Sequence, residues 1–423
     1  MSERGKVGST ALRKDGRDRL EEIEEADILI GIPTFDNDQT VDYVVEKTTK
    51  GVKEHFPDKK AVVMVSDGGS LDDTREKALE AEVPEEVDRI VTIYRGIPGK
   101  GSAFRAVFEA ADLLDVDACV VLDGDLRSRL DEWVERHLTP VFEEGMDFLT
   151  PNYIRHKHDA TITNNVCFPL TASLYGRKVR QPIGGDFALS GRLARYYAEQ
   201  DVWDTDVARF GIDIWMTTTA ICGDFDVGQT NLGVKLHDSK DPGESLGPMF
   251  RQVVGTLFRL MDKHSEDWRD IMEIEDAPIY GDNMENEVDH VEVDLYGLKE
   301  KALEGWDHHE QRRSHYKRYL SSGVYHRLKN CLDKAGVEEL EPIPADLWVK
   351  VLFDYAVAYN FSGDDRKEVL DSLVPLYFAR SASLFEEMED MGHEEAERHI
   401  RKLPELYQAE KGHLIERWDR NGN

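Results

Sequence analysis

The chain has 423 residues, enough for two or three domains, and 40% of them are apolar, enough for a sizeable core. Its 85 acidic residues outnumber 53 basic ones, for a net charge of −32, which argues against nucleic-acid binding; the high apolar content argues against disorder. No apolar run approaches the roughly eighteen residues of a membrane span, the first twenty residues lack the apolar stretch of a signal peptide, and Cys119, Cys167, Cys222 and Cys331 stand singly, with no C-x-x-C pair. The expectation is a cytoplasmic enzyme without a disulfide framework or a thiolate zinc site. The acids are spread along the whole chain. They suit an ordinary acidic enzyme or, as the favoured reading, adaptation to high salt.

Residues 1–25 read as a polar lead-in with a helix over Leu20–Glu25. Ile28–Ile32 is a strand closed by Pro33, and Thr40–Val52 carries helical apolar spacing. Ala61–Val65 is a second strand, running into Ser66-Asp67-Gly68-Gly69-Ser70, and Ile90–Tyr94 a third. Ala103–Leu114 is helical, and Ala118–Leu122 is a fourth strand, running into Asp123-Gly124-Asp125. Apolar runs this short, bounded by Gly and Asp, fit buried parallel strands. Their alternation with helices implies an open α/β sheet, which binds ligands at the carboxyl ends of its strands. From Met249 the pattern turns helical, with Phe250, Val253, Val254, Leu257, Leu260 and Met261 on one face. After an acidic stretch, Glu273–Asp294, helices near Leu298–Tyr319, Leu347–Asn360, Glu368–Met388 and Glu394–Trp418 make residues 300–423 a helical appendage.

The chemistry-bearing residues cluster at the predicted strand ends. Asp123 and Asp125, one residue apart, can face one cavity and share a hard cation with a diphosphate; a plain D-G-D turn is the bland alternative. Pro98-Gly99-Lys100-Gly101 before a helix suits an anion, or is simply a glycine turn. Asp67, with Asp72 and Asp73, can meet a base or ribose, or cap the next helix. Gly184, Gly185 and Asp186 line a pocket or make a bend, and Asp213 stands where a cap would be the bland role. His237 is a lone histidine, and His308–His315 reads as a solvated helix face.

In this order the motifs resemble the glucosyl-3-phosphoglycerate synthase family, within the GT-A class of glycosyltransferases. The likeness runs from about Ile28 to Val254 through Pro33, D-x-G-S (Asp67 to Ser70), P-G-K-G (Pro98 to Gly101), D-x-D (Asp123, Asp125), P-x-G-G-acid (Pro182 to Asp186), G-x-acid (Gly211 to Asp213) and N-L-G-V-x-x-H (Asn231 to His237). The resemblance implies a mostly parallel open sheet flanked by helices, with a nucleotide-sugar-binding half over 26–160, an acceptor-binding half over 161–260 and a mainly helical extension over 261–423. It implies retaining transfer of a hexose, glucose rather than mannose, from a UDP-, GDP- or ADP-sugar to D-glycerate or 3-phosphoglycerate, on the way to compatible solutes. A homodimer is compatible with it. Pro33, Phe35, Asn37, Asp67, Gly68, Lys100 and Asp123 would bind the donor. Asp125 and His237 would hold Mg²⁺ or Mn²⁺. Thr161, Thr163, Gly184, Gly185 and Asp186 would face the acceptor, and Asp213 would sit at the reacting centre. Asn37 and Gly68 stand where the family has a glutamate and a serine. Thr161 stands where it has an arginine for the acceptor phosphate, which points to an unphosphorylated acceptor.

Two rival readings are a sugar-phosphate nucleotidyltransferase and a non-catalytic nucleotide-sugar-binding protein. The first needs a glycine-rich loop after strand one, where this chain has Pro33-Thr34-Phe35-Asp36-Asn37. If the charge of −32 reflects salt adaptation, the melting temperature rises from low to molar salt as carboxylate repulsion is screened. A flat or falling profile contradicts that reading.

Overall fold

Aliphatic and β-branched runs between Gly and Asp turns are long enough only for strands, and burial on both faces places them inside a sheet. The computed structural model describes residues 10–236, 242–283, 288, 291–311 and 315–422. The strands of its main sheet are β1 (Ile28–Thr34), β2 (Ala61–Asp67), β3 (Val87–Ile93), β4 (Ala118–Val121), β5 (Phe148–Ile154), β6 (Phe187–Ser190), β7 (Val227–Val234) and β8 (Ile279–Tyr280). They form one eight-stranded sheet in the order β8-β7-β5-β6-β4-β1-β2-β3. Neighbours are parallel except β6, which is antiparallel to both β4 and β5. The α/β class and the mostly parallel open sheet flanked by helices are therefore as expected.

The chain divides into two compact units. The first comprises Met1–Ile154, Ile183–Lys240 and Ala277–Glu287, and the second Arg155–Pro182, Asp241–Asp276 and Val288–Asn423. The sheet belongs to the first unit, with helices α1 (Lys14–Ile23), α2 (Val41–His55), α3 (Thr74–Glu80), α4 (Lys100–Leu113), α5 (Leu130–Glu143), α6 (Gly191–Ala198) and α7 (Ile212–Cys222). Its core combines Ile28, Ile30 and Ile32 of β1 and Val63 and Val65 of β2 with Val41, Val44 and Val45 of α2 and Trp133 of α5.

β1 is a central strand, yet it contains Pro33, which lacks an N–H. Gly31 and Pro33 face the same neighbour, because strand residues alternate in direction. Pairing with β4 ends at Gly31↔Val121, so the missing donor of Pro33 falls beyond the ladder and costs no bond. The strand runs on to Thr34, two residues past the predicted end at Ile32. At the sheet edge, β3 starts at Val87 rather than Ile90, because the half-buried alternation of an edge strand hides its first residues from a search for continuous apolar runs.

In the second unit the helix Ala345–Phe361 is buried along most of its length, as a central helix must be. Phe250 stacks on Tyr377 at 4.3 Å and Trp306 on Tyr316 at 4.4 Å between ring centroids. The predicted Glu394–Trp418 helix is three pieces, His393–Arg401, Leu403–Ala409 and Lys411–Gly422; Pro404 at the start of the second prevents a continuous ladder. The predicted Leu298–Tyr319 helix divides into Leu295–Gln311 and His315–Tyr319. The solvated face expected over His308–His315 is only partly so: His308 is exposed, but His309 and His315 are buried. A further helix, Ser322–Leu332, lies in a stretch read without structure.

The loop entering α4 is fixed by close backbone approach. A Cβ on Gly101 would lie 1.8 Å from the carbonyl oxygen of Val207, whereas one on Gly323, in the helix Ser322–Leu332, would meet nothing within 4 Å. Gly101→Ala is therefore expected to cost about 1–3 kcal/mol and Gly323→Ala to stabilise by roughly 0.5–1 kcal/mol. Thermal unfolding of the two variants checks the opposite signs; equal shifts contradict this packing.

Candidate active site

Strand order reverses between β1 and β4, and at such a switch point the carboxyl ends of an open α/β sheet leave a crevice for a ligand. The loops after β1 and β2 are laced together there. The buried Asp67 carboxylate accepts from Thr34 Oγ1 at 3.1 Å, Ser70 Oγ at 2.5 Å, Gly69 N at 2.7 Å and Ser70 N at 2.9 Å. Four donors fill the acceptor capacity of a carboxylate. Asp67 therefore shapes its loop, and what it presents outward is backbone. Asp36 N donates to Ser70 Oγ, Leu71 N donates to Asp36 Oδ1, and Asn37 Oδ1 accepts from Phe35 N. Phe35 is left 62% exposed, and a Cβ on Gly68 would stand 3.0 Å from its ring and 3.3 Å from the Tyr94 hydroxyl.

The P-G-K-G turn holds Lys100 at the start of α4. The N–H groups of that first turn are already used: Gly101 N donates to Arg209 O, and Ser102 N and Ala103 N to Gly99 O. The open helix N-terminus read from the sequence is thus closed at these groups, and the attraction for an anion rests on the Lys100 side chain.

That side chain enters a buried charge cluster. Lys100 Nζ lies 2.8 Å from Asp123 Oδ1, 3.2 Å from the Gly185 carbonyl and 3.5 Å from Asp213 Oδ1. A second lysine, Lys235, lies 2.7 Å from Asp123 Oδ2, 2.8 Å from Asp186 Oδ2 and 3.1 Å from the Gly184 carbonyl. Asp186 also accepts from Asp123 N at 2.8 Å and from the Tyr153 hydroxyl. Gly185 makes this possible. Its φ is +95°, and a Cβ there would lie 2.5 Å from Asp123 Oδ2.

Burial acts on every member, and the partners decide the outcome. Burial disfavours the Lys100 charge, but Asp123 and Asp213 outweigh it and hold its pKa above the ordinary value. Burial pushes Asp123 up, and Lys100 and Lys235 pull it below the carboxylate range. For Asp186 and Asp213 burial prevails over Lys235 and Lys100 respectively, and both are raised. Asp213 lies in the first turn of α7, whose N-cap residue Gly211 has no side chain to cap with, and its buried Oδ1 accepts no hydrogen bond. It is not a cap but the excess carboxylate of three acids against two lysines.

The structure brings Lys100, Asp123, Gly184, Gly185, Asp186 and Asp213 together, with Pro33, Phe35, Asn37, Asp67 and Gly68 in the adjoining loops. Asp125 is half-buried in the turn after Asp123, and Gly124 between them packs against the Pro33 carbonyl. Lys235 and Tyr153 were missed as site residues. The available signal was a lysine inside the otherwise apolar Leu232–Leu236 run of a strongly acidic chain. Thr161 and Thr163 belong to the second unit, where Thr161 Oγ1 lies 2.5 Å from the Tyr377 hydroxyl. His237 lies outside the described residues.

Among solved structures, the chain is similar to glucosyl-3-phosphoglycerate synthase from Mycobacterium tuberculosis. In its complex with Mn²⁺, UDP and glucosyl-3-phosphoglycerate, the identity is 24% over 57% of this chain and 83% of that one, with a TM-score of 0.44. Against its complex with Mn²⁺, UDP-glucose and phosphoglyceric acid the identity is 23% over 61% and 86%, with a TM-score of 0.43. No family model and no curated protein matches the chain.

Breaking a buried ion pair from one side costs about 3–5 kcal/mol, and Lys235→Met is expected to lose that much at pH 7. Lys235 lowers the pKa of both Asp123 and Asp186, so its removal raises both, and the variant, which favours their protonated forms more than the wild type does, recovers stability as pH falls. The deficit against wild type should therefore shrink from pH 7 towards acid in denaturant titrations. A deficit independent of pH contradicts the pairing.

Proposed function

We propose that this chain is a retaining GT-A glycosyltransferase that moves a hexose, glucose in the first instance, from a nucleotide-sugar to D-glycerate. The observation that carries the reading is the buried cluster of Lys100, Lys235, Asp123, Asp186 and Asp213 at the carboxyl ends of the sheet. Such a cluster is expensive to desolvate and serves a ligand that carries charge and hydroxyl groups. Phe35 offers an exposed ring to a base, with the Gly68 backbone beside it. Asp123, oriented by two lysines, accepts from ribose hydroxyls. Lys100 can turn from Asp123 towards a diphosphate, and Asp213 faces the reacting centre.

The residues also fit a hard divalent cation. Asp125, two residues on from Asp123, would supply the carboxylate oxygens that Mg²⁺ or Mn²⁺ prefers; His237, outside the described residues, is the second proposed ligand. Bound there, the ion would neutralise charge on the departing diphosphate. The protein's own part is positioning and fixed electrostatics.

The choice of glycerate over 3-phosphoglycerate follows from Thr161, where the resemblance places an arginine for the acceptor phosphate, and from how the cations just before it in sequence are spent. Lys157 Nζ donates to the carbonyls of Met388, Glu389 and Met391 at 2.8, 2.8 and 2.9 Å, closing the end of the helix Arg366–Glu387. Arg155 is engaged with Asp159 at 2.8 Å and Gln181 at 3.1 Å. Thr161 offers a neutral hydroxyl.

Two outcomes are expected. With UDP-, GDP- and ADP-glucose supplied in turn, product mass shows one hexose added to glycerate, and Asp125→Ala or excess chelator abolishes it; full activity in chelator removes the metal from the account, and no turnover with any pair favours a non-catalytic binding protein. With the best donor, kcat/KM favours glycerate over 3-phosphoglycerate by tenfold or so, about 1.4 kcal/mol, and Thr161→Arg shifts the ratio towards the phosphorylated acceptor. A tenfold preference of the wild type for 3-phosphoglycerate overturns the choice.

A further inference from the structure

In the first unit, β3 ends at Ile93, level with Asp67 at the end of β2. The next residue, Tyr94, therefore stands beside the loop that follows β2, and its N–H donates to Asp67 O at 3.1 Å. Its hydroxyl accepts from Gly99 N at 3.0 Å, in the turn that carries Lys100. Burial holds the phenol pKa above its ordinary value, so the proton stays on at neutral pH. Among the described residues no acceptor takes that proton.

The surroundings of Gly68 show what the proton faces. The three atoms nearest to a Cβ built there are a ring carbon of Phe35 at 3.0 Å and the Thr34 carbonyl oxygen and the Tyr94 hydroxyl, both at 3.3 Å. An aromatic ring, an acceptor and a donor thus border one point. That point is open to a ligand: Phe35 is exposed, and Gly68 and Tyr94 are only half-buried. The Thr34 carbonyl already accepts from Gly68 N at 2.8 Å, but a carbonyl has a second lone pair.

The backbone cannot supply the donor. The N–H groups of residues 35, 36 and 68–71 are all spent within the two interlocked loops. The Tyr94 hydroxyl fills that gap from the neighbouring strand. A flat ring with a polar edge is the ligand that suits this arrangement. Its face stacks on Phe35, which suits any base. Its N–H meets the Thr34 carbonyl, and the adjacent carbonyl oxygen or ring nitrogen takes the Tyr94 proton. A sugar or a phosphate has no such face.

We infer that Tyr94 anchors the base of the nucleotide-sugar, its hydroxyl donating to an acceptor on the base edge while the base lies on Phe35. The assignment rests on the transferase reading and adds to it a residue outside every motif of the sequence. Since Gly99 donates to the same hydroxyl, Tyr94 also ties the base to the turn that holds Lys100. Titration of the full chain with UDP, GDP and ADP, and with ribose 5-diphosphate read by competition, separates the base from the rest of the ligand. Tyr94→Phe keeps the ring and loses the hydroxyl. It is expected to weaken the nucleotide that the wild type binds best by roughly tenfold and to leave ribose 5-diphosphate within about twofold. Unchanged nucleotide affinity overturns this assignment alone. So does an equal loss for ribose 5-diphosphate, which makes Tyr94 a support of the Gly99 turn and nothing more. A wild type that binds none of the three nucleotides overturns the transferase reading and the assignment with it. If Tyr94→Phe does not melt cooperatively, Gly68→Ala decides by the same comparison, because its Cβ occupies the point that the ring, the carbonyl and the hydroxyl border.

Discussion

The rest of the first unit is arranged around one constraint, the pairing of two lysines with three carboxylates clustered at the end of the sheet. Asp186 and Asp213 are buried and Asp123 is half-buried, and an isolated carboxylate in such a place is costly. Lys100 and Lys235 each take one of the two Asp123 carboxylate oxygens, and each ammonium also takes a backbone carbonyl. The glycines follow from this. Gly185 leaves room for Asp123 and Lys235 to meet, and Gly101 lets the loop carrying Lys100 lie against the Val207–Arg209 backbone. The antiparallel strand β6 follows as well, since it carries Phe187 just beyond Asp186 into register with Val121, just before the Asp123 loop.

A second layer of the site consists of loops that satisfy themselves. Asp67 spends its carboxylate on Thr34, Gly69 and Ser70, and Asn37 spends its oxygen on Phe35. These side chains hold backbone and the Phe35 ring in place. That is pre-organisation of the kind that lowers the entropic cost of binding. It also explains how the site tolerates glycine at position 68: the loop is fixed from Asp67 and Ser70, not from the residue between them.

Much of this was legible in the sequence. β1, β2 and β4 announce themselves as short aliphatic runs ending in Gly or Asp, and those ends are where the charges gather. The later strands were not legible, because β5 contains Pro151, β6 has four residues, and β7 mixes Gly228, Gln229 and Asn231 with its apolar positions. Lys235 was hidden because a lysine is ordinarily a surface residue, and only the sheet order shows that it lies opposite Asp123. Asp213 was readable as an acid near a helix start but not as an uncapped, buried one. In the second unit, Trp348 Nε1 and the Tyr407 hydroxyl both donate to the Asn165 carbonyl, each from far along the chain, and no local pattern joins them.

The most direct test of the charge cluster as a nucleotide-sugar site is calorimetric titration of wild-type and Asp123→Asn protein with UDP, GDP and ADP in the presence of Mn²⁺. The account predicts saturable, metal-dependent binding of at least one nucleoside diphosphate to the wild type. It predicts binding weaker by roughly tenfold or more, about 1.4 kcal/mol, in the variant, where the carboxylate between the two lysines is gone. Absence of binding by any of the three, or equal affinity of the two proteins, contradicts it.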